Sequence, residues 1–285
     1  MTLSVDPAQI VRQSDGSYTG VWGQFILKSA FQPIFAFGEG RLKIAAYEGL
    51  VRPFSGADAV APALFFPMVP AVERQRVETL ARTLHLLNAG RFLDRGAEIF
   101  INFDPSLFAE RAVTDALLRE MRLVLREAAI EPGRVVCEVT EQKSSSEAAL
   151  FGFVEALRGY GFRIAVDDYG SDDSDIHRIG RLRPDIVKFD ARWISSLMDS
   201  GPGYALLAEM VATFKARGID TVFEGIEYGW QLELAEKSGA SMVQGFVLAR
   251  PEIVPTSFSP FTPAAATQSD EDTSRAPVAA EARAP

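Results

Sequence analysis

The chain has few of the groups that build redox and soft-metal sites: one cysteine and two histidines in 285 residues. A single cysteine excludes an internal disulfide and fits a reducing compartment. Cys137 stands between Val136 and Glu138 in an apolar run and reads as a small core residue. Basic residues are also in deficit, 29 against 38 acidic, which leaves a net charge of −9. Such a chain repels polyanions, so a DNA or RNA polymer is not an expected partner. A small phosphodiester is not excluded, because bound cations reverse a local field. Long hydrophobic runs are missing too. The longest candidate, Ala61–Val72, is interrupted by Pro67 and Pro70 and falls short of the roughly 20 residues that cross a bilayer. Membrane insertion is therefore not expected. Met1–Ser14 contains Asp6 and lacks the basic-then-apolar order of a secretory signal. A cytoplasmic location is the expectation.

Hydrophobic residues make up 47% of the chain, enough for a sizeable core. The composition changes after Pro251. Pro255–Pro285 is rich in proline, alanine, hydroxyl and acidic residues and cannot bury enough apolar surface to offset its ordering entropy. The expected organisation is a flexible leader over 1–21, a working domain over 22–251 and a disordered tail over 252–285. The working domain approaches the ~250 residues of a barrel of alternating strands and helices.

Short apolar or β-branched runs recur at Phe31–Phe37, Ile44–Val51, Glu98–Phe103, Val135–Val139, Arg163–Val166, Asp185–Phe189, Thr221–Phe223 and Met242–Val247. Helical spacing fills Val72–Leu93, Ala112–Ala129, Glu147–Tyr160, Tyr204–Arg217 and Trp230–Ser238. Gly90, Gly161, Gly218 and Gly239 follow these patterns as candidate helix ends. Repeated strand–helix units predict an α/β fold with a mainly parallel sheet. Gly38–Glu39–Gly40 is too short for a parallel crossover, so the first two strands should be antiparallel. Eight strands suggest closure into a barrel. An open doubly wound sheet is the alternative, weakened by the lack of a glycine-rich phosphate turn after the first strand.

Polar residues sit at the far ends of these runs: Glu48, Asn102, Glu138, the pair Asp167–Asp168, Lys188, Glu224 and Gln244. In a parallel barrel those ends open on one face, which carries the site. A single acid after a strand is commonly a helix cap, and an aspartate pair before Tyr169–Gly170 is a turn signal. The same event at successive strand ends is harder to assign to chance. Clustered carboxylates are costly unless cations neutralise them. Oxygen ligands without a Cys or His cluster suit magnesium or manganese. His177 reads as a surface helix residue and His85 as a residue of a helix flank.

Tyr47–Glu48–Gly49–Leu50–Val51–Arg52–Pro53 resembles the name-giving motif of EAL-domain phosphodiesterases. Phe31–Gln32–Pro33–Ile34, Ile101–Asn102–Phe103, Glu138–Val139–Thr140–Glu141, Asp167–Asp168–Tyr169–Gly170, Val187–Lys188–Phe189–Asp190, Glu224–Gly225–Ile226–Glu227 and Gln244–Gly245–Phe246 follow in the family's order. The resemblance covers nearly all of Phe25–Pro251 and implies a modified TIM barrel with one antiparallel strand. It implies hydrolysis of cyclic di-GMP to linear pGpG with two divalent ions. By analogy Glu48, Asn102, Glu138 and Asp167 hold one ion, and Asp167, Asp168 and Glu224 the second. Lys188 would orient the attacking water, with Gln244 supporting the same site. The proton acceptor would be Glu224 or a hydroxide on the ions. Arg52 would grip a phosphate, Gln32 a guanine edge, and Leu50 would pack near the substrate. Glu141 would anchor the loop that begins at Asp168. Two departures stand out. Gly49 replaces the motif's alanine, and Ser171–Asp172–Asp173–Ser174–Asp175 replaces a glycine-rich, aromatic loop. That loop motivates a second reading, a catalytically weak receptor that acts through a signalling protein partner. The resemblance also admits a homodimer through helices beside the loop.

Overall fold

The structure, a computed structural model, describes residues 9–38, 40–108, 110–140, 147–171 and 176–258. The strands are β1 (Ile10–Arg12), β2 (Tyr18–Trp22), β3 (Phe25–Gly38), β4 (Arg41–Ser55), β5 (Asp58–Ala59), β6 (Glu98–Phe103), β7 (Val135–Thr140), β8 (Arg163–Tyr169), β9 (Ile186–Phe189), β10 (Asp220–Phe223), β11 (Met242–Val243) and β12 (Glu252–Ile253). The helices are α1 (Pro62–Phe65), α2 (Ala71–Phe92), α3 (Arg111–Ala128), α4 (Glu147–Gly159), α5 (Ile176–Leu182), α6 (Ala191–Met198), α7 (Gly201–Ala216) and α8 (Gly229–Ser238).

Eight strands close in the order β3–β11–β10–β9–β8–β7–β6–β4, with β4 returning to β3. β3 runs antiparallel to both neighbours, and all other barrel neighbours are parallel. The expected modified TIM barrel with one antiparallel strand is thus the observed architecture. The turn from β3 into β4 passes through Gly40 at φ +70°, a conformation that glycine adopts without a Cβ clash. The main core lies between the strands' outer faces and the helices, with Phe31, Phe35, Ile99, Leu118, Phe153, Phe189 and Phe214 among its buried members.

Four expectations need correction. The leader is in part ordered: β1 and β2 form an antiparallel hairpin, and β2 continues onto the start of β3. Its anchor lies far away in sequence. Asn88 on α2 accepts from the Tyr18 N–H at 2.8 Å and donates to the Tyr18 carbonyl at 2.9 Å. The tail also begins with structure, since β12 pairs with β3 at Glu252↔Phe31. Both additions follow from the length of β3, whose N-terminal half leaves a sheet edge for β2 and β12 to cover. Residues 259–285 lie outside the described ones. Gly90 is not a helix end. A Cβ there would come within 2.1 Å of the Ala128 carbonyl oxygen, so glycine permits α2 to approach the end of α3. Gly161, Gly218 and Gly239 do follow helices, at φ +91°, +73° and +83°. The last apolar run gives a strand of two residues only, after which Gly245 lies against the backbone of Ile226.

Candidate active site

The barrel interior is floored by one side chain from each strand: Ile34, Ala46, Phe100, Val136, Ala165, Ile186, Val222 and Met242 form one buried apolar cluster. Strand side chains repeat their direction every second residue. Two residues further toward the mouth stand Gln32, Glu48, Asn102, Glu138, Asp167 and Lys188 on their strands, with Glu224 and Gln244 one residue past the ends of β10 and β11. The polar set expected from the strand ends is therefore one layer of a closed barrel, resting on an apolar plug.

Four of its carboxylates converge on one ammonium. Lys188 Nζ lies 2.5 Å from Glu138, 2.6 Å from Glu224, 3.1 Å from Asp167 and 3.8 Å from Glu48. Gln244 Nε2 donates to Glu48 Oε2 at 2.8 Å and fixes that carboxylate from the other side. Lys188 and Glu138 are each only 1% exposed. Burial pushes the Glu138 carboxyl well above its ordinary range against the pull of Lys188, with Glu48 and Asp167 adding to the rise. Burial also raises Glu224, to about 8, and Lys188 again opposes it. Desolvation works against the Lys188 charge, but Asp167, Glu138, Glu224 and Glu48 together hold it well above the usual lysine range.

Asp167 and Asp168 are neighbours, and regular alternation would point them to opposite faces. A bulge prevents this: Val166 pairs with Val187 while Tyr169 pairs with Phe189, so β8 carries one residue more than β9. Asp168 takes the left-handed conformation at φ +57°, which aspartate tolerates better than most residues. Ligand atoms of Asp167, Asp168 and Glu224 then lie within 4.8 Å of one another. Bulges of this kind re-aim side chains beside active sites.

These residues fit a pair of hard cations. Glu138 Oε2 is buried without a hydrogen-bond partner, a costly state for an anionic oxygen. Asp168 adds an exposed carboxylate beside Asp167 and Glu224.

The substrate-side residues border this layer. Leu50, Arg52 and Asn102 line a cavity of about 340 Å³ between β4, β6 and α2. Arg52 Nη1 donates to the Val51 carbonyl at 3.0 Å. Gln32 Nε2 donates to the Ala249 carbonyl at 3.1 Å and faces the chain that follows β11. Glu141 and Asp172–Asp175 lie outside the described residues, so neither the loop anchor nor most of the altered loop has a structural account.

Sequence reasoning missed the far wall of the cavity. Glu78, Arg82 and His85 line it; Arg82 is buried, and so is His85, which the sequence placed on a helix flank. Arg82 reaches Thr79 Oγ1 at 3.0 Å and stacks its guanidinium 4.7 Å over the Phe103 ring. The signal was present: positions 78, 82 and 85 fall on one helical stripe of polar residues along an otherwise buried helix face.

The EAL domain family's sequence model matches residues 24–251. The chain belongs to the EAL domain family. It is 26% identical over 160 residues to the probable cyclic di-GMP phosphodiesterase PdeA of Escherichia coli, which covers 55% of this chain and 21% of that protein. It is 28% identical over 160 residues to the cyclic di-GMP phosphodiesterase RocR of Pseudomonas aeruginosa, covering 56% of this chain and 40% of that one. The chain thus spans well under half the length of both. Among solved EAL structures it resembles Bacillus subtilis YkuI in complex with cyclic di-GMP and calcium, with a TM-score of 0.71, 25% identity, and coverage of 82% of this chain and 57% of that one. It also resembles Klebsiella pneumoniae BlrP1 in complex with manganese and cyclic di-GMP, with a TM-score of 0.69, 26% identity, and coverage of 80% and 56%. Outside the EAL match lies the β1–β2 hairpin, held through Asn88. Among the described residues, no helix is long and apolar enough to cross a membrane.

Proposed function

We propose that the chain is a cytoplasmic phosphodiesterase that opens cyclic di-GMP to linear pGpG with two divalent cations, Mg2+ or Mn2+. The observation that carries this reading is the convergence of four carboxylates on Lys188, with ligand atoms of Asp167, Asp168 and Glu224 within 4.8 Å of one another. Relatives named as cyclic di-GMP phosphodiesterases, and EAL structures holding that nucleotide with manganese or calcium, support the substrate and the ion class.

In this reading Glu48, Asn102, Glu138 and Asp167 hold one cation, and Asp167, Asp168 and Glu224 the other. When bound, the pair would acidify a coordinated water and offset the charge on the phosphate oxygens. Lys188 orients the attacking water with an ammonium that four carboxylates keep protonated. Glu224, raised to about 8 in the cation-free protein, would give up its proton on cation binding and could then accept one from the water. Arg52 offers a planar fork to the phosphate. Gln32 reads a guanine edge, Leu50 packs on the nucleotide, and Gln244 keeps Glu48 aligned. Water adds to phosphorus, the bond to one 3′ oxygen breaks, and that oxygen leaves as a hydroxyl.

The test is incubation of purified protein with cyclic di-GMP and Mg2+ or Mn2+, with products separated by chromatography. Formation of pGpG that stops on chelation is expected. Tight binding without turnover in saturating Mn2+ would overturn the enzymatic reading and leave a receptor.

A further inference from the structure

Gly49 sits where the EAL motif carries alanine, and its neighbourhood explains the exchange. On β4, Glu48, Leu50 and Arg52 share one strand direction, toward the plug's mouth, while Gly49 and Val51 share the other. The Gly49 side meets α2. A Cβ built on Gly49 would stand 3.0 Å from His85 Cγ and 3.2 Å from both its Cβ and Cδ2. The backbone of Gly49 is not left-handed, so the imidazole is the obstacle to a larger residue.

His85 is itself held firmly. Its Nδ1 lies 3.0 Å from Ser29 Oγ, the same hydroxyl that accepts from Asn88 Nδ2 at 3.0 Å. Its ring meets Phe31 edge-on at a centroid distance of 6.0 Å. Ser29 and Asn88 are fully buried. Burial, with Arg52 and Arg82 nearby, lowers the His85 pKa to about 3, so the ring stays neutral beside Arg52. A rigid, neutral ring therefore bears on the β4 backbone between a cation ligand and the phosphate-gripping arginine of the proposed site.

We infer that His85 is a positioning residue matched to the missing side chain of Gly49, and that their contact sets where Glu48 and Arg52 face the substrate. This rests on the phosphodiesterase reading. It predicts that neither residue can be changed alone without displacing β4, and that the two changes compensate. Overpacking a close-packed contact forces neighbours to shift.

The experiment is a double-mutant cycle with Gly49→Ala, His85→Ala and the pair, plus His85→Asn, whose amide can keep the bond to Ser29 with a smaller body. Gly49→Ala should raise KM for cyclic di-GMP about tenfold, a factor equivalent to about 1.4 kcal/mol, with kcat changed less. In the His85→Ala background the same substitution should change KM less than about twofold. His85→Asn should recover most of what His85→Ala loses. Additive KM effects overturn the inference. So does a cycle coupled only in melting temperature, which would mark a packing pair with no positioning role. If the wild type does not hydrolyse the nucleotide, the phosphodiesterase reading falls separately. The cycle is then read on Mn2+ affinity by calorimetry, which depends on Glu48, and additivity there overturns the inference.

Discussion

Ile34, Ala46, Phe100 and Val136 point into the same barrel as Gln32, Glu48, Asn102 and Glu138, from the same strands, one pleat lower. The lower layer gains stability by being buried. The upper layer loses it, and is tolerable only because Lys188 and Gln244 answer part of its charge. The two layers are nonetheless dependent. The plug keeps water from the floor of the polar layer, and that lack of water lifts Glu138 and Glu224 out of the ordinary carboxylate range. Stability and reactivity are thus divided by a step of two residues along each strand.

The sharpest way to separate the layers is to remove the ions. Chelation should lower hydrolysis by about a thousandfold or more, on the order of 4 kcal/mol of barrier, while far-UV circular dichroism and the melting transition keep a folded barrel. If chelation instead unfolds the protein, the polar layer is structural as well and the division fails. A change in the lower layer should do the reverse. Phe100→Ala removes the largest plug side chain and should cost about 3–5 kcal/mol of stability by urea titration. KM of the folded fraction should stay within about twofold. A large KM change with little loss of stability would mean that the plug shapes the mouth directly.

Lys188 belongs to the upper layer by position and to neither by charge. Lys188→Met keeps its length and removes the ammonium. The expected result is a fall in kcat of about a hundredfold with KM changed less than about threefold, since orienting water matters in the transition state more than in binding. An equal fall in affinity would assign Lys188 to substrate binding instead.

The sequence carried the layered design because a parallel barrel turns strand ends into neighbours. Glu48, Glu138, Lys188 and Glu224 were readable without coordinates, as was the antiparallel first pair from the shortness of Gly38–Gly40. What escaped depends on contacts that no local pattern encodes. The hairpin at residues 10–22 is held by Asn88, seventy positions away. The role of Gly90 needs the end of α3, and that of Gly49 needs His85 on α2. The bulge that brings Asp168 beside Asp167 and Glu224 leaves only a repeated aspartate in the sequence, which a turn explains equally well. Each of these is a packing relation between elements, and sequence periodicity reports only the face that an element buries.

The smallest predicted effect tests whether the lower layer tunes the upper one. The Glu224 carboxyl is raised from 4.5 to about 8, chiefly by burial, with Lys188 opposing and Asp167 and Glu48 reinforcing. In the cation-free protein the folded state therefore keeps a proton that the unfolded chain gives up between pH 4.5 and 8. Its contribution to stability is full below pH 4.5 and is lost as the pH rises toward 8. Cation binding needs the ionised carboxylate, so affinity for Mn2+ should rise across the same interval and level off near pH 8. At pH 7 binding should release about one proton through Glu224, measured by calorimetry in two buffers of different ionisation enthalpy. Glu224→Gln should reduce that release and weaken the pH dependence. Binding at pH 7 without proton release would mean that Glu224 is already ionised, and that the plug does not dry the floor beneath it.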